Sequence, residues 1–169
     1  LRYGPGVRRA EVPSPVQVHR DGDGVILQTG VSKLLFSTSR FRLLDSAWLD
    51  KDQDGRFTDA ERITAPDEAG IVLTTPDGRT YRADLDPTDL AVEQDGPLRA
   101  CLRLQGRHAS SDGTMMRYIV RIHAFRGLPA VRIHYTFVND FQDSLLARLD
   151  SLELVFSLQG GASEPQQLV

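Results

Sequence analysis

The run Asp50-Lys51-Asp52-Gln53-Asp54-Gly55-Arg56-Phe57-Thr58-Asp59-Ala60-Glu61 carries the sharpest chemistry in this chain. Its order of residue types, D-x-D-x-D-G-x-(apolar)-x-x-x-E, is that of an EF-hand-type loop wrapping calcium (Ca2+) in oxygen. Asp50, Asp52 and Asp54 offer carboxylates and Arg56 its backbone carbonyl. Thr58 can hold a water, and Glu61 can close the cage with both carboxylate oxygens. Gly55 stands where the chain must turn at positive φ, which a side chain opposes. Phe57 is expected to point inward as the loop's apolar anchor. A solvated acidic turn is the competing reading, and the agreement of spacing along the whole run favours the metal.

The flanks define the kind of site. Phe41, Leu44 and Trp48 have roughly helical spacing and predict a short entering helix. After Glu61, only four residues precede Pro66, so no exiting helix of useful length can form. No second loop of this pattern exists in the chain. Without two helices to swing apart, calcium would act as a structural staple and not as a switch.

The elements that must position this loop are strands. A chain of 169 residues is long enough for one domain that buries about 70% of its unfolded surface. A formal net charge of -3 argues against nucleic acid as a partner, and no apolar run reaches the length of a membrane span. The single cysteine, Cys101, excludes an internal disulfide. The chain opens on Leu1, as a mature product or excised piece would, so a missing leader is uninformative.

Glycine-rich turns and period-two alternation mark strands near residues 16–19, 25–28, 34–37, 71–73, 80–82, 90–93, 98–105, 118–125, 131–138 and 152–158. This pattern predicts an all-β fold, an antiparallel barrel or β-sandwich, over residues 16–159. Residues 1–15 read as an N-terminal extension and residues 160–169 as a linker toward a following domain. If residues 126–129 connect two paired strands, Ala124 faces Val131, Ile122 faces Ile133, Val120 faces Tyr135, and Tyr118 faces Phe137. Every pair is apolar or aromatic, as a buried face requires.

The opposite face of that hairpin gathers Arg121, His123, Arg132 and His134, and a nearby strand would add Arg99 and Arg103. It reads as a solvated sheet face balanced by residues such as Glu93 and Glu153. Its functional reading is a surface that docks an acidic neighbouring domain or the carboxylates of an acidic polysaccharide. Crowded cations should keep these histidines mostly neutral. Arg99 and Arg103 could lower the Cys101 thiol pKa, against the plainer reading of a structural, half-buried cysteine. Trp48 reads as a packing residue against the loop more than as a sugar platform. No zinc spacing, phosphate-binding glycine loop or nucleophile elbow is present in the sequence, and no catalytic residue is assigned.

Val92-Glu93-Gln94-Asp95-Gly96-Pro97-Leu98-Arg99-Ala100, followed by residues 118–129 and 131–140, resembles the N-terminal β-domain, or RIFT barrel, of the exo-rhamnogalacturonan lyase-like (PcRGLX/YetA-like) family. The resemblance implies a larger polypeptide in which an α-helical toroid follows and lyase chemistry lies outside this segment. It does not vouch for the calcium ligands, which rest on the loop's own spacing. The expectation is a calcium-stabilised accessory β-domain, secreted or periplasmic, that scaffolds or docks the following catalytic domain. A stand-alone calcium-dependent carbohydrate-binding module is the second reading, and a complete polysaccharide lyase the third.

Overall fold

The computed structural model describes residues 4, 6, 11–66, 69–140 and 147–159. The expected linker 160–169 and most of the extension 1–15 lie outside the described residues. Two antiparallel sheets face each other, so a sandwich is the observed form of the all-β fold. The smaller runs in order β1 (Gln17–Asp21), β2 (Gly24–Gln28), β3 (Ser32–Ser37) and β4 (Ser46–Leu49). The larger contains β5 (Gly70–Thr74), β6 (Thr80–Arg82), β7 (Asp89–Asp95), β8 (Arg99–Ser110), β9 (Gly113–Phe125), β10 (Val131–Val138) and β11 (Ser151–Val155). Its path is β10-β9-β8-β6-β5-β11, and β7 pairs with β8 beside β6. The long β8 accommodates both: residues near its start pair with β7, and Ala109 near its end pairs with Arg82 of β6.

Alternation places the core. Val25, Leu27, Leu34 and Phe36 point from the small sheet, and Ala100, Leu102, Leu104, Tyr118, Val120, Ile122 and Ala124 meet them from the large one. The β9–β10 register is the one the sequence arithmetic predicts, with Ala124 opposite Val131, Ile122 opposite Ile133, Val120 opposite Tyr135 and Tyr118 opposite Phe137. Burial fades along β10, an outer strand of this sheet, and Phe137 is exposed.

The predicted entering helix is absent. Phe41 and Leu43, two residues apart, are both fully buried, and Leu43 has φ of 68°. That left-handed residue breaks any helical turn, and Trp48 belongs to β4, paired with Lys33. Phe41 instead stacks on Tyr118 with ring centroids 5.8 Å apart. The hairpin β8–β9 also runs farther than the sequence pattern suggested. A bulge between Arg107 and His108 interrupts its alternation.

Tyr118 is the pivot of the interior. It is fully buried, its hydroxyl lies 2.5 Å from Thr88 Oγ1, and burial pushes its pKa up to about 12. It lies across the ladder from Gly106, where an added Cβ would stand 2.5 Å from the Tyr118 oxygen and 2.9 Å from Cζ. Gly106→Ala is therefore expected to destabilise the fold by about 1–3 kcal/mol through overpacking. In a Tyr118→Phe background the same substitution should cost less, because the nearest atom is gone. Urea unfolding of the four proteins of this cycle measures the difference.

Candidate metal centre and the charged sheet face

The acidic loop leaves β4 and returns beside it. Trp48 and Arg62 pair as an antiparallel bridge, and Ile63 N–H donates to the Ala47 carbonyl at 2.8 Å. Ala47 N–H donates to Thr64 Oγ1 at 3.1 Å, and Arg62 Nη2 reaches Ser46 Oγ at 2.9 Å. Asp50 N–H bonds to the Val31 carbonyl at 3.0 Å, which fixes the loop's first residue to the small sheet. Both ends of the loop are thus held by one neck.

Within the loop, backbone donors turn the carboxylates together. Asp50 accepts N–H bonds from Asp54 and Gly55, each at 3.1 Å. Asp52 accepts from Asp54 N–H at 3.2 Å, and Asp54 from Arg56 N–H at 2.7 Å. Two left-handed residues, Gln53 at φ 62° and Gly55 at φ 77°, make the tight path possible. Carboxylate oxygens of Asp50, Asp52 and Asp54 consequently lie within 4.8 Å of one another. Among the described residues none of the three forms an ion pair. A carboxylate oxygen that accepts one N–H keeps a lone pair, so the cluster still offers a hard, all-oxygen donor set that suits a hard divalent cation.

Glu61 stands apart from this trio. Its Oε1 accepts from Lys51 N–H at 2.9 Å, and its Oε2 accepts from Thr58 N–H at 2.9 Å and from the Thr58 hydroxyl at 3.0 Å. With these bonds it caps a single 3-10 turn, Asp59–Glu61. The Thr58 N–H first, and the Lys51 N–H second, hold its carboxyl below the usual range. Thr58 serves Glu61 in this arrangement, and Arg56 is exposed between the two groups. Phe57 is half-buried against a shallow groove that includes Pro15 and Gln28, outside the main core. Lys33 Nζ and Arg62 Cζ stand over the Trp48 ring, 4.8 and 5.7 Å from its centroid, so cations occupy positions a stacked sugar would need.

An open cleft of about 680 Å³ adjoins the trio. Asp50, Lys51, Gln53 and Asp54 line one side, and Val31, Gly127 and Pro129 are among its other walls. Sequence patterning gave no sign of it, because it joins the loop to the distant β9–β10 turn.

Arg99, Arg103, Arg121, His123, Arg132 and His134 do share one face of the large sheet. Glu93 organises it. Arg121 holds Glu93 through two bonds of 2.8 and 3.0 Å, and Arg103 Nε lies 3.4 Å from it. Asp89 is 3.8 Å from Arg103. Glu153, named with Glu93 as a counter-charge, is on β11 at the far side of the sheet. Arg99 Nη2 contacts His123 Nδ1 at 2.9 Å, and His123 meets His134 edge-on at 5.1 Å. Burial, then Arg99, His134 and Arg132, depress the His123 pKa, in keeping with the expected neutral imidazole. Cys101 corrects the suggestion of a lowered thiol pKa: it is 2% exposed, and burial first, then Glu93, push the thiol up.

His108 escaped the sequence reading. It is fully buried, with Nδ1 3.0 Å from the Met116 carbonyl and Nε2 3.0 Å from the Tyr135 hydroxyl. A carbonyl only accepts, so Nδ1 carries the proton and Nε2 accepts from Tyr135. Burial holds this imidazole's pKa down. A lone histidine beside a bulge carries no periodic signal that reveals such a partner.

The family model described as the PcRGLX-like protein central beta sandwich domain matches residues 16–159. The resemblance in the sequence pointed to the N-terminal domain, whereas the matching description is that of the central one. No curated protein matches the chain.

Without divalent cations, Glu61→Ala should lower the melting temperature, since it removes a cap, whereas Asp52→Asn should leave it unchanged or raise it by relieving like-charge repulsion. Calorimetry in chelator distinguishes these roles. Glu93→Gln should shift the pH profile of Cys101 alkylation downward, because an acid that disfavours the thiolate is removed while Arg99 and Arg121 stay.

Proposed function

Because this chain belongs to the PcRGLX-like family, we propose that it serves as a calcium-stapled accessory β-sandwich within a larger rhamnogalacturonan lyase-like polypeptide, holding a neighbouring catalytic domain in place. The observation that carries the metal reading is the trio Asp50, Asp52 and Asp54, gathered within 4.8 Å by backbone donors with no ion partner among the described residues. Calcium would be held by these carboxylates, with the Arg56 carbonyl, a water on Thr58 and the remaining lone pairs of Glu61 completing the shell. The ion would supply charge neutralisation and no bond-making chemistry. It would convert a mutually repulsive loop into a rigid extension of the neck at Trp48 and Arg62.

Extracellular calcium modules bind at roughly 10⁻⁴ to 10⁻³ M, which suits a secreted or periplasmic protein in calcium-rich surroundings. Docking of an acidic neighbour would fall to Arg99 and Arg132, which have no carboxylate ion-pair partner among the described residues. The cleft beside the loop favours one further reading, a calcium-dependent carbohydrate-binding module, because Asp50 and Asp54 line both the trio and the cleft. Binding of acidic oligosaccharides that vanishes in chelator would promote it over scaffolding.

Calcium at ten times its dissociation constant should add about 1.4 kcal/mol to stability, a rise of about 3–6 °C in melting temperature. The doubly substituted Asp52→Asn, Asp54→Asn protein should lose that rise. A melting temperature indifferent to calcium and to chelator would remove the staple.

A further inference from the structure

We infer that Leu154, Phe156 and Leu158 form the seam against which the domain following this one in the same polypeptide packs. This deepens the scaffold reading and rests on it. Leu152 lies opposite Leu73 and Leu154 opposite Ile71, so both belong to the inner face of the large sheet. Leu73 and Ile71 are almost fully buried, yet Leu154 is 42% exposed, Phe156 42% and Leu158 61%. Leu152 still packs on the core, so the apolar row begins inside the sandwich and runs out from it.

The row is preformed. Ala65 N–H donates to the Ser157 carbonyl at 3.0 Å, Gln159 N–H to the Ile63 carbonyl at 2.7 Å, and Leu158 bridges Thr64. These bonds hold residues 156–159 extended against the segment that leaves the acidic loop. Three large apolar side chains at alternate positions then present one exposed edge.

The tether selects the occupant. The matching family description is of a central domain, which implies a domain after it. The chain continues past the seam at residue 160, so a domain that follows meets it within one polypeptide at a raised effective concentration, and a small seam suffices. A second copy would meet the seam without that advantage and would need a far larger surface for stable pairing.

Hydroxyl-radical footprinting of the full polypeptide tests the seam. Leu154, Phe156 and Leu158 should oxidise at least fivefold more slowly than their exposure here implies, with Leu85, 59% exposed, as the internal reference. Phe156→Ser with Leu158→Ser should speed proteolysis within residues 160–169 at least tenfold while the calcium-dependent rise in melting temperature is retained. Oxidation at the reference rate, or unchanged proteolysis, overturns the inference. Protection that appears only with a concentration-dependent dimer mass also overturns it, in favour of a second copy. Loss of the calcium effect with the seam still protected sinks the staple alone.

Discussion

The pairing of β8 with β9 is the constraint on which the rest of this molecule depends. Its inward row, Ala100, Leu102, Leu104, Val120, Ile122 and Ala124, is completely buried and forms the wall on which the smaller sheet closes. Its outward row carries Cys101, Arg103, Arg121 and His123. One register therefore decides both which apolar groups leave water and which charges meet on the outside. A shift by one residue would exchange the two rows, burying arginine and exposing leucine, so the register is strongly specified. Tyr118 secures it at the point where Gly106 leaves room for the phenol.

Charge is handled in two different ways. On the large sheet, like charges on adjacent strands are reconciled by Glu93, which draws Arg121 and Arg103 together and lets Cys101 stay covered as a thiol. Among the described residues no cationic side chain performs that task for the three aspartates of the acidic loop, and backbone N–H groups offset their repulsion. Glu61, at the end of the loop, forms a capping box with Thr58. The asymmetry between a self-neutralised sheet face and a loop with uncompensated acid is what gives the loop its chemical interest.

Much of this was legible in the amino-acid order. Turn glycines and alternation mark every strand but β4, and apolar matching across residues 118–137 predicts the observed register. The spacing of Asp50, Asp52, Asp54 and Gly55 anticipated the clustered carboxylates. Two kinds of information were hidden. Phe41 and Trp48 satisfied helical spacing, but positive φ at Leu43 and pairing of Trp48 with Lys33 overrode it, because tertiary burial outweighs a weak local preference. The His108–Tyr135 bond and the cleft beside the loop join residues far apart in the chain and leave no periodic trace. Glu61 was readable as a residue of the loop but not as the cap that it forms with Thr58, since one carboxylate can serve either purpose.

The neck formed by Trp48 and Arg62 has an architectural consequence. The chain departs from β4 and comes back to it as a neighbour in the same ladder, so the excursion between them leaves the strand register untouched. A loop attached in this manner can be lengthened, shortened or replaced without disturbing the core on which the two sheets close.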